Sequence, residues 1–346
     1  MRDLVVAGGG PVGLAVALHA ARAGLDVVVR EPRTGPVDKA CGEGLMPGAV
    51  AELAALGVHP DGHPLVGIRY VAASGRGAAA EATFEAGPGL GVRRTTLHAA
   101  LSDALARADV PVEAEPVRSV RDAGGHVLVD GEAARYLVAA DGLHSPVRRL
   151  LGLDVTARGR RRFGLRCHVE QAPWTPFVEV HWSARAEAYV TPVADDLVGV
   201  AVLTDSGGPF DDVLASFPAL AARLDGPRTR VMGAGPLRQR ASRRVAGRTL
   251  LVGDAGGYVD ALTGEGIALG LAQARAVVAC VVADDPQRFE GVAARLGRRH
   301  ELLTHALLRA TAHRPVRRRI VPAAARSPRL FSAAVNQLAR PIEVPA

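Results

Sequence analysis

The stretch Leu4-Val5-Val6-Ala7-Gly8-Gly9-Gly10-Pro11-Val12-Gly13 decides the fold. Four apolar residues running into glycines read as a fully buried parallel strand. Residues 12–23 then read as a helix ended by Gly24, and Val27-Val28-Val29 as a second buried strand closed by Arg30-Glu31-Pro32. Together they make a βαβ unit of about the usual 30 residues. Gly8, Gly10 and Gly13 fit G-x-G-x-x-G, with Pro11 and Val12 between them. The first glycine permits the tight turn, the second lets backbone approach a pyrophosphate, and the third lets helix pack on strand. The helix N-terminus offers unpaired N–H groups to phosphates. Glu31 stands where an acid accepts hydrogen bonds from a ribose 2′-OH, which argues against a 2′-phosphate there.

The same letters could mimic a membrane span or signal peptide. The glycine cluster near the start and Asp3 in front of the run argue against both. The sequence therefore predicts no transmembrane segment. The 346 residues suggest two domains at roughly 150 residues each. Net charge is +7, and Lys39 is the only lysine. The arginines are scattered, with a cluster at Arg314, Arg317, Arg318 and Arg319 and no interleaved aromatics, so nucleic acid is not an expected partner. Peripheral membrane contact by the basic tail is compatible with the pattern. Cys41, Cys167 and Cys280 form no metal or disulfide spacing, which fits a reducing cytoplasm and no metal site.

Further along, residues 49–56 and 95–108 read as helices, and 110–117, 119–121 and 126–129 as strands, with a turn at Gly124-Gly125. Another buried strand, 136–140, ends at Asp141-Gly142. Residues 160–240 change character: strands at 177–182, 188–191 and 197–203, and a helix over 211–224. A buried strand at 249–252 leads into Gly253-Asp254-Ala255-Gly256, and Thr263-Gly264-Glu265-Gly266-Ile267 opens a long helix to about residue 283. The fold class expected is α/β: a Rossmann-type domain with a parallel sheet, interleaved with an antiparallel-sheet substrate domain and followed by a helical C-terminal tail. The expected division is 1–65, 92–158 and 242–310 for the nucleotide-binding domain, 66–91 and 159–241 for the sheet domain, and 311–346 for the tail.

The glycine turn, the Asp141-Gly142 segment and the Gly253-Asp254 segment resemble, in this order and spacing, the FAD-dependent family of aromatic hydroxylases (p-hydroxybenzoate hydroxylase-like), flavin halogenases and geranylgeranyl reductases. The resemblance covers residues 1 to about 310. It implies FAD as cofactor, with Gly8, Gly10, Gly13 and Glu31 at its ADP half. Arg94, in Arg94-Thr95-Thr96-Leu97, matches the family's Arg-x-x-Leu, where the Arg touches FAD; Arg93 is the neighbouring competitor. Asp141 matches a contact to FAD and to a transient nicotinamide, and Asp254 a contact to the ribityl chain or pyrophosphate. Gly264, Gly266 and Ile267 would bring a helix N-terminus to the flavin N1–C2=O edge, favouring the reduced form.

Lys39-Ala40-Cys41-Gly42-Glu43-Gly44 looks like the Lys-x-Cys-Gly-x-Gly loop of the geranylgeranyl reductase branch, where Gly42 and Gly44 pass close to the isoalloxazine. Cys41, Glu43 and Glu265 are the flavin-proximal candidates for catalysis. Glu43 stands where the reductases commonly have glycine. The reductases' Tyr-x-Trp-x-Phe-Pro is reduced here to Tyr189-Val190-Thr191-Pro192, and the halogenases' Trp-x-Trp-x-Ile-Pro is absent. The leading expectation is a monooxygenase that hydroxylates or epoxidises a small lipophilic, aromatic or polyketide-type substrate through a flavin C4a-hydroperoxide. NADH or NADPH would be the transient donor, since no second G-x-G-x-x-G is present. The alternatives are an ene-reductase or dehydrogenase of the geranylgeranyl reductase type, and a non-catalytic FAD-binding protein.

Overall fold

Strand Arg2–Ala7 is buried on both faces, because helices cover one side and a second apolar layer the other. Leu4 and Val6 join Val27, Val29, Tyr136 and Val138 in one core, while Val5 and Ala7 join Val28, Leu137 and Ala139 in the other. That two-sided burial explains the unbroken apolar run. In a computed structural model describing residues 1–76, 79–157, 159–205 and 207–344, these strands form the centre of an eight-stranded sheet.

Arg2–Ala7 pairs in parallel with Val27–Arg30 on one side and Glu132–Ala139 on the other. Thr249–Leu251 adds in parallel beyond Glu132–Ala139. Helices Pro11–Arg22 and Gly266–Val282 lie side by side on one face. They approach closely at Gly270, where a Cβ would come within 2.4 Å of Val12 Cγ2. The sheet thus gathers strands from three separate parts of the chain, so the interruption at residues 160–240 is an excursion into other structure.

That excursion forms a seven-stranded sheet ordered Met232–Ala234, Phe163–Glu170, Leu197–Thr204, Ala186–Ala194, Phe177–Trp182, Gly67–Ala72 and Ala80–Thr83. Its pairings are antiparallel except one: Gly67–Ala72 runs parallel to Phe177–Trp182. That parallel pair joins segments about a hundred residues apart and has no local sequence signal. A small third sheet links Gly44–Leu45, Gly89–Gly91 and His63–Leu65. Two expected elements are shorter than their apolar patterns. Residues 110–117 contribute only strand Val112–Glu113, because Pro111 and Pro116 interrupt pairing. The helix expected over 211–224 is two short helices, Phe210–Leu214 and Pro218–Ala221, broken ahead of Pro218.

Helices Arg288–Ala312, Arg314–Arg317, Ile320–Arg326 and Pro328–Ala339 complete the chain. Phe331 and Val335 pack on Ala80 and Ala82 of the sheet's edge strand. Asn336 donates to Thr83 O (2.9 Å) at the end of that strand and accepts from Glu85 N–H (2.9 Å) just beyond it, covering part of the edge. Arg317 is pinned more deeply: its Nε donates to Ser183 O at 2.7 Å and its Nη2 lies 2.7 Å from Glu187. Glu187 is fully buried and also bonds Arg162, which pairs with Asp260 at 3.1 Å. No helix among the described residues is long and apolar enough to cross a membrane. Removing one charge from such a buried cluster strands the others. Glu187→Gln is therefore expected to lower unfolding stability by about 3 kcal/mol, read from the urea midpoint; an unchanged midpoint would show that the cluster holds nothing together.

Candidate active site

A cavity of about 550 Å³ runs from the glycine turn, past the loop 38–44, to the inner face of the seven-stranded sheet. The size is typical of sites for small organic molecules. Gly10, Pro11, Val12, Arg94, Asp141 and Gly142 line one end. Lys39, Cys41, Gly42, Glu43 and Gly44 line it from the loop, and Asp254, Gly264, Gly266 and Ile267 from the start of the long helix. Gly8, Gly13, Glu31, Gly253 and Glu265 lie outside the described lining and support it from behind.

The turn is sterically reserved for glycine. Gly8 sits at φ +102°, and a Cβ there would lie 2.7 Å from Ala140 O. At Gly13 a Cβ would lie 1.9 Å from Gly8 O, which no relaxation of a side chain could accommodate. Gly10, by contrast, faces open space, with only Arg94 Nη2 at 3.8 Å. Glu31 accepts from Gly9 N–H at 2.8 Å and pairs with Arg33 at 2.7 Å, which holds its carboxylate below the usual range against the opposing effect of burial. His98 was not legible as a site residue. Its Nε2–H donates to Gly9 O at 2.9 Å while Nδ1 accepts from Ser102 at 3.3 Å, fixing the turn from the helix Arg94–Arg107. The signal available was one polar residue beside the apolar stripe Leu97, Leu101, Leu105.

The second and third motifs are braced by Arg148, only 1% exposed. Its guanidinium donates to Leu143 O and Ala255 O, both at 3.0 Å, and pairs with Asp154 at 2.6 Å. Asp141 accepts from Val147 N–H at 2.9 Å through one oxygen, while its Oδ1 is buried with no partner among the described residues. Burial pushes this carboxyl above the ordinary carboxylate range. Asp254 pairs with Lys39 at 3.0 Å, so the lone lysine bridges the loop to the strand end at Gly253, whose N–H donates to Gln273. Glu265 stands at the N-cap position of the long helix without a capping bond: its carboxylate meets His300 Nδ1 at 3.0 Å, on helix Arg288–Ala312, and does not line the cavity.

The loop is latched onto the large sheet. Glu43 stands at φ 59°, the left-handed region that suits glycine, and is 2% exposed. Its carboxylate accepts from Arg94 N–H (2.8 Å) and from His168 Nε2 (2.7 Å), with Arg166 Nη2 at 3.7 Å. Arg166 also bonds Asp38 and donates to Lys39 O at 3.2 Å. Arg166 and His168 alternate with Cys167, so strand period puts both on the loop side and the thiol in the opposite core. Cys41 lines the cavity, and its Sγ accepts from Glu43 N–H at 3.4 Å. Thr191 Oγ1 donates to Gly42 O at 2.8 Å, a third tie to the sheet.

This is the architecture of a flavoprotein. The family model described as an FAD-binding domain matches residues 1–195, and the chain belongs to that family. A menaquinone reductase of Mycobacterium tuberculosis (strain H37Rv) is 33% identical over 307 residues, 79% of this chain and 74% of that protein. Digeranylgeranylglycerophospholipid reductase 1 of Methanothermobacter thermautotrophicus is 28% identical, covering 78% of this chain and 74% of the relative. Among solved structures, p-nitrophenol 4-monooxygenase from Pseudomonas putida superposes with a TM-score of 0.76 at 18% identity, covering 98% of this chain and 95% of that one; that likeness is one of fold. The protein is an FAD-dependent oxidoreductase. The residues present fit FAD: the space above Gly10 is free, and Arg94 Nε and Asp141 Oδ1 are buried polar atoms with no partner among the described residues.

The latch makes a test of its own. Glu43→Gly removes the backbone strain of φ 59° but leaves His168 and Arg166 facing a lost carboxylate. We expect it to cost about 3 kcal/mol net and to weaken FAD binding roughly tenfold, the equivalent of about 1.4 kcal/mol. Stability and affinity equal to wild type would mean that the loop is held by its backbone alone.

Proposed function

We propose that the protein is an FAD-dependent reductase of a carbon–carbon double bond in a long lipophilic, prenyl-bearing substrate. The apolar half of the cavity carries this reading. Ile68, Tyr70, Phe84, Val178, Val180 and Leu203 line it, while the charged lining residues belong to the glycine-turn end or to the loop and its latch. Such a wall holds a hydrocarbon chain by area alone and offers no ion pair to a phenolate or carboxylate. Both reductases named above act on molecules with prenyl chains, at 33% and 28% identity. The monooxygenase expected from the sequence shares the fold, but its support among solved structures is at 18% identity.

In this reading Gly8, Gly10 and Gly13 give the pyrophosphate its turn, Glu31 takes the adenosine ribose, and Arg94, Asp141 and Asp254 take the middle of the cofactor. Bound FAD supplies the hydride. The chain's own residues do the rest. Lys39, Gly42 and Gly44 shape the wall over the ring, and the N-terminus of Gly266–Val282 places a partial positive charge beside it. Cys41 and Tyr258, both at the cavity surface and the latter with its ring beside Gly266, are proton-bearing side chains at that end. NADH or NADPH would reload the cofactor in passing.

The test is incubation with a polyprenyl quinone and NADH or NADPH under nitrogen, with the product read by mass spectrometry. Reduction of the chain proceeds without O₂ and leaves two added hydrogens after the product is reoxidised in air to the quinone, whereas reduction of the ring alone leaves none and would contradict the reading. Turnover that needs O₂ and adds an oxygen atom would return the protein to the monooxygenases, and no turnover with any donor would leave it a binding protein.

A further inference from the structure

The C-terminal segment is chemically unlike the rest of the chain. Residues 302–342 contain eight arginines and no aspartate or glutamate. The whole chain carries +7, so this segment holds essentially all of its excess charge. Arg317 is spent internally on Glu187. Arg309, Arg314, Arg318, Arg319, Arg326 and Arg329 are exposed, and none forms an ion pair with a carboxylate among the described residues.

Large apolar side chains are exposed among them. Leu302 is 64% exposed, Val316 45% and Leu330 73%. Exposed leucine and valine between unpaired arginines is the composition of a helical surface that lies in a lipid headgroup layer. A nucleic-acid surface would interleave aromatics for stacking, and the only aromatic in this segment apart from histidine, Phe331, is buried against the sheet. The inner faces of the same helices reach the cavity through Leu307, Val335 and Leu338. One side of the helical layer therefore borders the apolar chamber and the other is basic and apolar.

We propose that the outer faces of these helices dock the protein on an anionic lipid bilayer, bringing the apolar chamber to the surface from which a lipophilic substrate comes. The docking stands on surface composition and is read without turnover, so it can fail while the proposed reaction survives, and the reverse.

The experiment is co-sedimentation of the full-length, FAD-loaded protein with large vesicles of phosphatidylglycerol and phosphatidylcholine, against vesicles of phosphatidylcholine alone. Partition onto the anionic vesicles should be at least about tenfold stronger, and should fall in high salt as screened charge requires. Arg318→Glu with Arg319→Glu should reduce it about tenfold or more, with flavin absorbance and melting temperature unchanged. Leu302→Ser with Leu330→Ser should reduce it severalfold, as loss of buried apolar area would. Equal partition onto both vesicle types, or wild-type binding by the charge-reversed variant, would overturn the proposal. So would tighter binding to duplex DNA that Leu302→Ser leaves untouched, which would assign the surface to nucleic acid.

Discussion

The structure depends on one close approach: backbone against backbone where the first strand turns into the first helix. Gly8 lies on the carbonyl of Ala140, and Gly13 lies on the carbonyl of Gly8. The end of the first strand, the start of the first helix and the end of strand Glu132–Ala139 meet there, with nothing larger than the Ala140 methyl at the contact. Because the turn sits that low, the helix N-terminus opens directly above Gly10, and the end of strand Glu132–Ala139 delivers Asp141 alongside it. A single added methyl at Gly13 would have to displace backbone, which packed interiors resist. His98, bonded to Gly9 O, ties the turn to the helix Arg94–Arg107.

A second constraint couples this cradle to the large sheet. Loop 38–44 is tied to Arg166 and His168 on one strand and to Thr191 on another. Gly91, in the small sheet beside the loop, would place a Cβ only 1.7 Å from Pro192 O. The two large sheets are thus joined through the loop that walls the cavity. A buried, charge-paired latch is a costly joint, because each group has been taken out of water.

What could be read from sequence was what local periodicity and glycine spacing encode. The βαβ unit, the glycine turn and the position of Asp141 and Asp254 after buried strands all follow from patterns within about thirty residues. The parallel pairing of Gly67–Ala72 with Phe177–Trp182 does not, because its partner lies far along the chain. The role of Glu43 is invisible for the same reason: its side-chain partners are Arg166 and His168, more than a hundred residues away. Its place in a glycine-rich loop was legible, and the positive φ explains why glycine suits that position. Glu265 shows the opposite case. Its motif resembles a flavin-facing one, yet its own carboxylate turns to His300, which nothing in the motif foretells.

The most direct measurement of the central claim is the affinity of the apoprotein for FAD in wild type and in Gly13→Ala, by quenching of flavin fluorescence. With the helix forced off the turn, the account predicts at least a hundredfold weaker binding, about 2.7 kcal/mol, in a protein whose circular dichroism still reports folded α/β structure. Equal affinity in the two would contradict it, because the cofactor would then not depend on the glycine approach at all.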